Sequence, residues 1–266
     1  MTAASLSPPP RGARPRARAA EARIEQQPGF VLHAYPWRET SLIIDTLTRD
    51  YGRVALVARG AKRPTSHFRG LLVPFSPLAL SWSGRAEIKS LTRAEWLGGL
   101  APLRGDELLS AFYQNELLER LLARGDPHET LFMIYARTLR ALSLEGAERD
   151  GALRAFELDL LREIGYAPAF DVAMDGTQID PGAWYRVDRE QGLKRAELAW
   201  QDRAIAASAG AELTVRGTTV LALARRDFSD PQCAAEARGL LRHLIGYHLN
   251  GKPLNTRRIL MDLRRL

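Results

Sequence analysis

The fold is decided by residues 41–59, which read SLIIDTLTRDYGRVALVAR. Two strand-like runs, Ser41–Thr48 and Arg53–Arg59, are joined by Asp50-Tyr51-Gly52, a composition typical of a tight turn. In the second run the odd-numbered side chains point to one face and the even-numbered ones to the other, as successive side chains of a strand do. The stretch therefore predicts a β-hairpin.

Three further strand-like runs surround this hairpin: Phe30–Tyr35, Leu78–Trp82 and Glu87–Arg93, the last two joined by Ser83-Gly84-Arg85. Five short strands in about 70 residues match a small closed barrel of the OB type. A five-stranded SH3-like barrel is the alternative. The outer face and loops of OB barrels often hold nucleic acid.

The hydrophobic period becomes helical after Trp96. We therefore predict an α+β fold, in which an N-terminal five-stranded OB-type β-barrel is followed by an all-helical C-terminal domain. Residues 1–27 are predicted to be a disordered basic tail, 28–100 the barrel, and 101–266 the helical domain with an irregular segment at about 166–200. The predicted helices begin at Asp106, Asp126-Pro127, Asp150, Asp230-Pro231 and Asn255.

Composition narrows the class of protein. The net charge is +7, and residues 28–100 hold ten Lys and Arg against five Asp and Glu, whereas residues 101–200 hold twelve against eighteen. A basic front domain thus precedes an acidic middle. The single cysteine, Cys233, excludes an intrachain disulfide and fits a reducing cytosol. No apolar run approaches the ~20 residues of a membrane helix.

The most informative functional motif is Arg59-Gly60-Ala61-Lys62-Arg63-Pro64-Thr65-Ser66-His67-Phe68-Arg69-Gly70, called here the basic loop. It holds four cations and no carboxylate, so its charges repel one another unless an anion lies on it. A phosphate backbone is the obvious anion, because Lys and Arg bind it while displacing condensed counterions. A solvated surface loop is the alternative.

Nucleic-acid contacts are predicted around this loop. The cations are Arg53, Arg59, Lys62, Arg63 and Arg69, with Tyr51 and Phe68 as platforms for base stacking. Phe68 could instead plug the barrel, and Tyr51 could pack on its strand. A second basic cluster, which a solvated helix face explains equally well, is predicted on the terminal helix at Arg257, Arg258, Arg264 and Arg265.

Catalytic motifs are absent from the sequence. There is no phosphate-binding Gly-x4-Gly-Lys-Ser/Thr, no Gly-x-Gly-x-x-Gly, no His-Glu-x-x-His and no Gly-x-Ser-x-Gly. Asp171 to Gly182 departs from a calcium loop at Ala173 and at Gly182, where a bidentate Glu is required. We therefore predict a binding protein with no catalytic residues, no cofactor and no metal.

In order and spacing, several motifs resemble those of the RecO family, the bacterial recombination mediators. The resemblance covers nearly everything after residue 28. The motifs are Tyr35-x3-Glu39-Thr40-Ser41, Gly52-Arg53, Arg59 to Arg63, Ser66 to Phe75, Glu116-Leu117-Leu118, Phe156 to Pro168, and His248-Leu249-Asn250-Gly251-Lys252-Pro253-Leu254-Asn255-Thr256-Arg257.

This resemblance implies a cytoplasmic, nucleoid-associated protein of DNA repair and recombination in the RecF pathway and the DNA-damage (SOS) response. It implies binding to single- and double-stranded DNA, annealing of complementary strands, and co-operation with RecR to help RecA replace single-stranded-DNA-binding protein (SSB). Lys62, Arg63 and Arg69 match the family's basic loop. Four zinc-binding cysteines are frequent in the family, but Asp171 to Lys194 contains none, so no zinc site is predicted.

Family members also bind the acidic, apolar C-terminal tail of SSB. A groove with apolar walls and a basic rim in the helical domain would suit this tail, and the predicted residues are Phe112, Tyr113, Arg120, Arg124 and Arg137. These arginines could equally pair with the carboxylates of their own domain. Two other functions stay open, an RNA-binding barrel in RNA or ribosome maturation and a scaffold that docks acidic protein tails.

Overall fold

The structure is a computed structural model that describes residues 23–142, 146–188, 192–196, 213–256 and 258–259. Strands and helices are numbered here in chain order. The strands are β1 (Arg23–Trp37), β2 (Ser41–Thr48), β3 (Gly52–Ala58), β4 (Pro77–Ser83), β5 (Ile88–Trp96), β6 (Trp184–Asp188), β7 (Gly192–Ala196) and β8 (Thr214–Arg216). The helices are α1 (Gly105–Leu121), α2 (Glu129–Ala141), α3 (Gly146–Glu163), α4 (Gly217–Arg225) and α5 (Pro231–His248).

The first five strands form the closed barrel predicted from the sequence, in the order β1-β2-β3-β5-β4. All pairings are antiparallel except β3 with β5, which is parallel and closes the barrel. The even-numbered residues of β2 and β3 face inward, and Ile44, Leu56 and Leu80 are fully buried there around Trp82. The alternation read from residues 53–59 is thus the alternation of the barrel wall.

The predicted tail is too long. The first strand already begins at Arg23, where Arg23 pairs with Ser83 and Ile24 with Trp82 of β4. These two β4 residues lie near the end of the predicted run Leu78–Trp82, so the extra length of β1 gives them a partner. Residues 1–22 of the predicted tail lie outside the described residues.

Helices follow the barrel close to the predicted places, except that α4 was not predicted. The carboxylate of Asp230 caps α5, since its Oδ1 accepts from the backbone N–H of Gln232 at 2.7 Å and of Cys233 at 3.2 Å. The predicted caps of the first two helices are wrong, because α1 begins at Gly105 and α2 at Glu129, with Arg104 and His128 in the capping positions. Helix α3 also begins earlier than its predicted start at Asp150.

The segment predicted to be irregular contains two strands. Strand β6 pairs with β7 on one side and with β8 on the other in a small antiparallel sheet. Tyr185, Val187 and Leu193 bury their side chains in the helical core. The segment is also tied by the hydroxyl of Tyr185, which accepts from the backbone N–H of Asp180 at 2.8 Å. Packing and hydrogen bonds therefore hold it without cysteine ligands.

The outer wall of the barrel packs into the helical core, which is separate from the core inside the barrel. Phe30 of β1 contacts Phe132 and Tyr135 of α2, with ring centroids 5.5 and 5.2 Å apart. Asn115 of α1 donates from Nδ2 to the backbone oxygen of Leu32 at 2.8 Å and accepts from the Tyr135 hydroxyl at 2.7 Å. This buried bridge fixes helix α1 against the barrel wall.

Gly52 fits the barrel turn closely against the α1–α2 connection. Its φ is +61°, and a Cβ built on it would lie 1.8 Å from the backbone oxygen of Asp126. The backbone N–H of Gly125 donates to the Arg53 oxygen at 2.9 Å in the same place. Only glycine provides both the left-handed backbone and the space.

Candidate nucleic-acid interface

The basic loop covers one end of the barrel and is fastened to the turn between β1 and β2. The backbone N–H of Lys62 donates to the Thr40 oxygen at 2.8 Å, and that of Gly60 to the Ser41 hydroxyl at 3.4 Å. Consecutive turns continue through the loop, with Arg63 bonded to Gly60. The loop is therefore held at a fixed place beside the end of β1.

The apolar side chains of the loop point into the barrel. Phe68 is 5% exposed and packs with Ala61 and Leu72 in the barrel core. The prediction of Phe68 as a stacking platform is therefore wrong, because a ring that fills the barrel end cannot receive a base. Its alternative, a barrel plug, is what the structure contains.

The cations of the loop point to solvent. Arg59, Lys62, Arg63 and Arg69 are all exposed. Within the part of the chain that the structure describes, none of the four forms an ion pair with a carboxylate. Arg69 makes one weak contact, from Nη1 to the Pro64 oxygen at 3.4 Å. Four cations anchored on a fixed loop are available to an anion.

Arg53 does not belong to this group. Its side chain is 12% exposed, lies 3.4 Å from Asp45, and donates to the backbone oxygens of Glu119 and, at 2.9 Å, of Leu122 at the end of α1. The guanidinium satisfies helix carbonyls that have no partner within the helix. Arg53 therefore joins the barrel to α1, and the prediction that it contacts nucleic acid is wrong.

Arg124 also lies in this joint. It donates to Glu87 at 2.8 Å and to Asp45 at 3.3 Å, while Glu119 lies beside the same charges. Burial, followed by repulsion from Asp45, raises the pKa of Glu119 to about 7. The joint thus contains a carboxyl group that is half protonated near neutral pH.

We expect the free energy of unfolding of a Glu119→Gln variant to depend less on pH than that of the parent protein. Because the folded-state pKa of Glu119 lies above its ordinary 4.5, this group's contribution to stability is complete below about pH 4.5 and is lost as pH rises through about 7. The variant should therefore be more stable than the parent at pH 8 by about 1–2 kcal/mol, a figure reduced for solvent screening of a partly exposed group. Urea unfolding at pH 5 and pH 8 measures it, and a stability difference that does not change with pH would contradict it.

Both interpretations of Tyr51, as a platform for base stacking and as a ring packed on its strand, agree with the structure. Its ring is 37% exposed and meets Trp82 edge-on, with the centroids 5.4 Å apart. On the terminal segment Arg258 is exposed, whereas Arg257, Arg264 and Arg265 lie outside the described residues. The start of this segment is bound to α1, because Glu116 accepts from the backbone N–H groups of Asn255 at 2.7 Å and Thr256 at 2.9 Å.

The residues predicted for the partner tail do not line one groove. Tyr113 donates its hydroxyl to Glu157 at 2.7 Å, and Arg120 pairs with Glu116 at 2.6 Å. Arg120 and Arg124 are exposed but paired with carboxylates, so among the described residues Phe112 and Arg137 are the exposed members of the set that lie outside any ion pair. An apolar cavity of about 560 Å³ does lie between barrel and helices, lined by Leu71, Val73, Phe75, Trp96, Leu100 and Leu103 among others.

The sequence reasoning missed an aromatic row on the barrel. His33, Tyr35 and Trp37 of β1 are all exposed, and the strand runs from them into the turn that holds the basic loop. Tyr35 and Trp37 are 46% and 45% exposed. The signal was present, since three aromatic or imidazole side chains at a spacing of two share one strand face. Of these three residues only Tyr35 belongs to a motif of the resemblance, Tyr35-x3-Glu39-Thr40-Ser41.

Comparison with known proteins agrees with this geometry. Residues 23–100 match the family described as Recombination protein O N terminal, and residues 103–258 match Recombination protein O C terminal. A protein of Ralstonia nicotianae named DNA repair protein RecO is 51% identical over 97% of this chain and 91% of its own length. Proteins of the same name from Cupriavidus pinatubonensis and Dechloromonas aromatica are 47% and 45% identical, each over 92% of this chain and over 82% and 98% of their own lengths.

No helix in the described ranges combines the length and the apolar character needed to cross a membrane. The same ranges hold no group of three or more His, Cys, Asp or Glu side chains arranged to bind a metal ion.

Proposed function

The chain belongs to the RecO family, whose members are DNA repair mediators and not enzymes, and from this membership we propose that it binds single- and double-stranded DNA and anneals complementary strands. With RecR, it would help RecA to replace SSB on single strands at the nucleoid. DNA repair is the name that its relatives carry. The barrel would serve as the DNA-binding domain, and the helical domain would receive the SSB tail through exposed residues such as Phe112 and Arg137.

One observation supports this function most strongly. The exposed cations of the basic loop, Arg59, Lys62, Arg63 and Arg69, stand on a loop without a single carboxylate and are held to the barrel end through Thr40. Phosphate groups are common to every DNA sequence, so these cations suit binding without base recognition. On the terminal segment, Arg258 would add a further phosphate contact.

Annealing follows physically from such a surface. Two single strands repel each other through their phosphates, and a cationic surface lowers that repulsion while the bases search for their register. The duplex must then leave, which favours several weak phosphate contacts over a few base-specific ones. The proposed chemistry therefore needs no catalytic group.

A strand-annealing assay tests this function. Complementary oligonucleotides, bare or coated with SSB, are mixed with the protein at two salt concentrations, with duplex formation followed by a fluorescent pair. We expect faster annealing at the lower salt concentration and acceleration on the coated strands when RecR is present. No acceleration on bare strands at either concentration would contradict annealing.

The alternative of an RNA-binding barrel makes a different prediction. A binding competition between DNA and RNA strands of matched sequence separates the two functions. Comparable or stronger binding of DNA supports the proposal, whereas a strong preference for RNA would favour a role in RNA maturation.

A further inference from the structure

The outer face of the barrel is divided into a covered half and an open half. Phe30, Leu32 and Leu47 face outward from β1 and β2 and are buried against the helices. The register of β1 shifts between Val31 and His33, and beyond this bulge the outward side chains are exposed. The bulge therefore marks the border between the two halves.

The open half is apolar and aromatic. Tyr35 pairs with Ile43 of β2, and Ile43 pairs with Val57 of β3, so the three side chains lie side by side on the outer wall. Ile43 and Val57 are half-buried, whereas Tyr35 and Trp37 are almost half exposed. Such a connected apolar surface on an otherwise charged barrel indicates a binding site.

Cations border this surface. The Arg38 guanidinium carbon lies 5.9 Å from the centre of the Trp37 ring, and the turn after it is hydrogen-bonded to the basic loop through Thr40 and Lys62. Trp37 is therefore followed by Arg38 and, through Thr40, by the cations of the basic loop, with the exposed carboxylate of Glu39 in the same turn. A partner with flat apolar faces and regularly spaced negative charges complements both features, and that is the chemistry of a polynucleotide.

We propose that Tyr35 and Trp37 stack the unpaired bases of a single DNA strand whose phosphates lie on the basic loop, with His33 supporting the Tyr35 ring. The ring centroids of His33 and Tyr35 are 4.2 Å apart, so the imidazole packs against the phenol. This inference rests on the proposed DNA binding. It adds that the aromatic surface of the barrel binds single-stranded and not double-stranded DNA.

The distance between Tyr35 and Trp37 prevents the two rings from stacking on the bases of a duplex. Residues two apart on a strand are separated by about 6.6 Å, roughly twice the 3.4 Å rise per nucleotide in one strand of B-DNA. Neighbouring bases can therefore reach Tyr35 and Trp37 only after they separate from each other. Bases within a duplex are already stacked and have no free face to offer.

Stacking of this kind also suits annealing. A base that rests on an aromatic ring is held by its face, and its hydrogen-bonding edge stays free for a complementary base. Because the wall is open, a second strand can approach. The same contacts are lost when the duplex forms and its bases stack on one another, which favours release.

The test compares two variants on two forms of DNA. A Tyr35→Ala and Trp37→Ala double variant should bind a mixed-sequence single strand roughly 10- to 100-fold more weakly, from the loss of two stacked bases, with unchanged duplex affinity. The slope of log K against log[salt] should be the same for this variant as for the parent protein, because no phosphate contact that displaces counterions is lost. Replacing the loop cations should weaken binding of both forms and flatten that dependence.

Conservative and distant changes provide the controls. Trp37→Phe keeps an aromatic face and should retain most of the single-strand affinity. Trp96→Ala removes a more exposed ring, 63% exposed, which lies on β5 beside the cavity lined by Leu71 and Leu100 and outside the aromatic row of β1, and it should change neither form. In the unmodified protein, a single strand but not a duplex should quench tryptophan fluorescence, and Trp37→Phe should remove most of that quenching.

Two results would overturn the stacking proposal while DNA binding stands. One is a folded double variant with parental affinity for single strands, and the other is an equal loss on single strands and duplex. A parent protein that binds neither form would instead contradict the proposed function itself.

Discussion

Replacing Lys62, Arg63 and Arg69 together by alanine is expected to weaken binding to single-stranded DNA about 100-fold at 0.1 M salt. The slope of log K against log[salt] becomes less steep by about 0.7 for each lost phosphate contact. Three lost contacts therefore make it less steep by about 2. At 0.1 M salt that change corresponds to about two orders of magnitude in affinity. The loss should be similar for unrelated sequences, because phosphate contacts do not distinguish bases.

Fluorescence anisotropy titrations of two oligonucleotides at four salt concentrations measure both quantities. The triple variant should fold normally, because the three side chains are exposed and the loop is fixed by its backbone and by buried Phe68. Arg23, Arg85 and Arg93, also exposed on the barrel, offer a triple control in which Arg23 pairs with Glu25 and Arg93 with Glu95, so their replacement should change the salt dependence less. An unchanged salt dependence in the loop variant would remove the loop from the DNA site.

Replacing Arg53 by alanine is expected to lower the free energy of unfolding by about 3–5 kcal/mol. The change removes one of the two ion pairs of the buried Asp45 carboxylate and leaves the contact to the more exposed Arg124 at 3.3 Å. It also removes the guanidinium that the Glu119 and Leu122 carbonyls accept from at the end of α1. Urea unfolding gives the difference through the midpoint at constant m.

Arg59→Ala is the control, since this exposed arginine lies six residues away at the end of the same run and should change stability by less than about 0.5 kcal/mol. Adding Asp45→Asn to Arg53→Ala should recover part of the loss, because it removes a buried charge that only Arg124 would then neutralise. A loss below about 1 kcal/mol, or a reduced salt dependence of DNA binding in the Arg53 variant, would contradict a purely structural role.

Local patterns predicted much of the barrel. Ser41–Thr48 coincides with β2, and the alternation of the next run places Leu56 inside the wall. Turn composition and period are short-range properties, and a strand pair expresses both. The early start of β1 could not be predicted in this way, because its first residues are strand only through their pairing with β4.

In the helical domain, too, local patterns predict a buried stripe but not a pairing between distant strands. Leu131, Tyr135 and Leu139 form the buried stripe that their spacing predicted. The sheet of β6, β7 and β8 was missed because its strands are short and β8 joins β6 from a distant part of the chain. Strand pairing across such a separation leaves no local period in the sequence.

The DNA site was only partly predictable, since charge can be read from the sequence whereas exposure cannot. Arg53 and Arg59 belong to one run, yet one is buried in the joint with α1 and the other is free for an anion. Phe68 is an aromatic residue of the basic loop and Trp37 lies just before the turn that holds this loop, yet the first plugs the barrel and the second faces solvent. In each pair, tertiary packing determines which side chain is buried and which is exposed.

The most direct measurement is the salt dependence of DNA binding by the unmodified protein, with two single strands of unrelated sequence. Four open cations on the basic loop predict measurable affinity for both strands, with log K falling by about 3 or more per unit of log[salt] and by the same amount for each strand. No binding at the lowest salt concentration, or affinity that does not change with salt, would contradict the account.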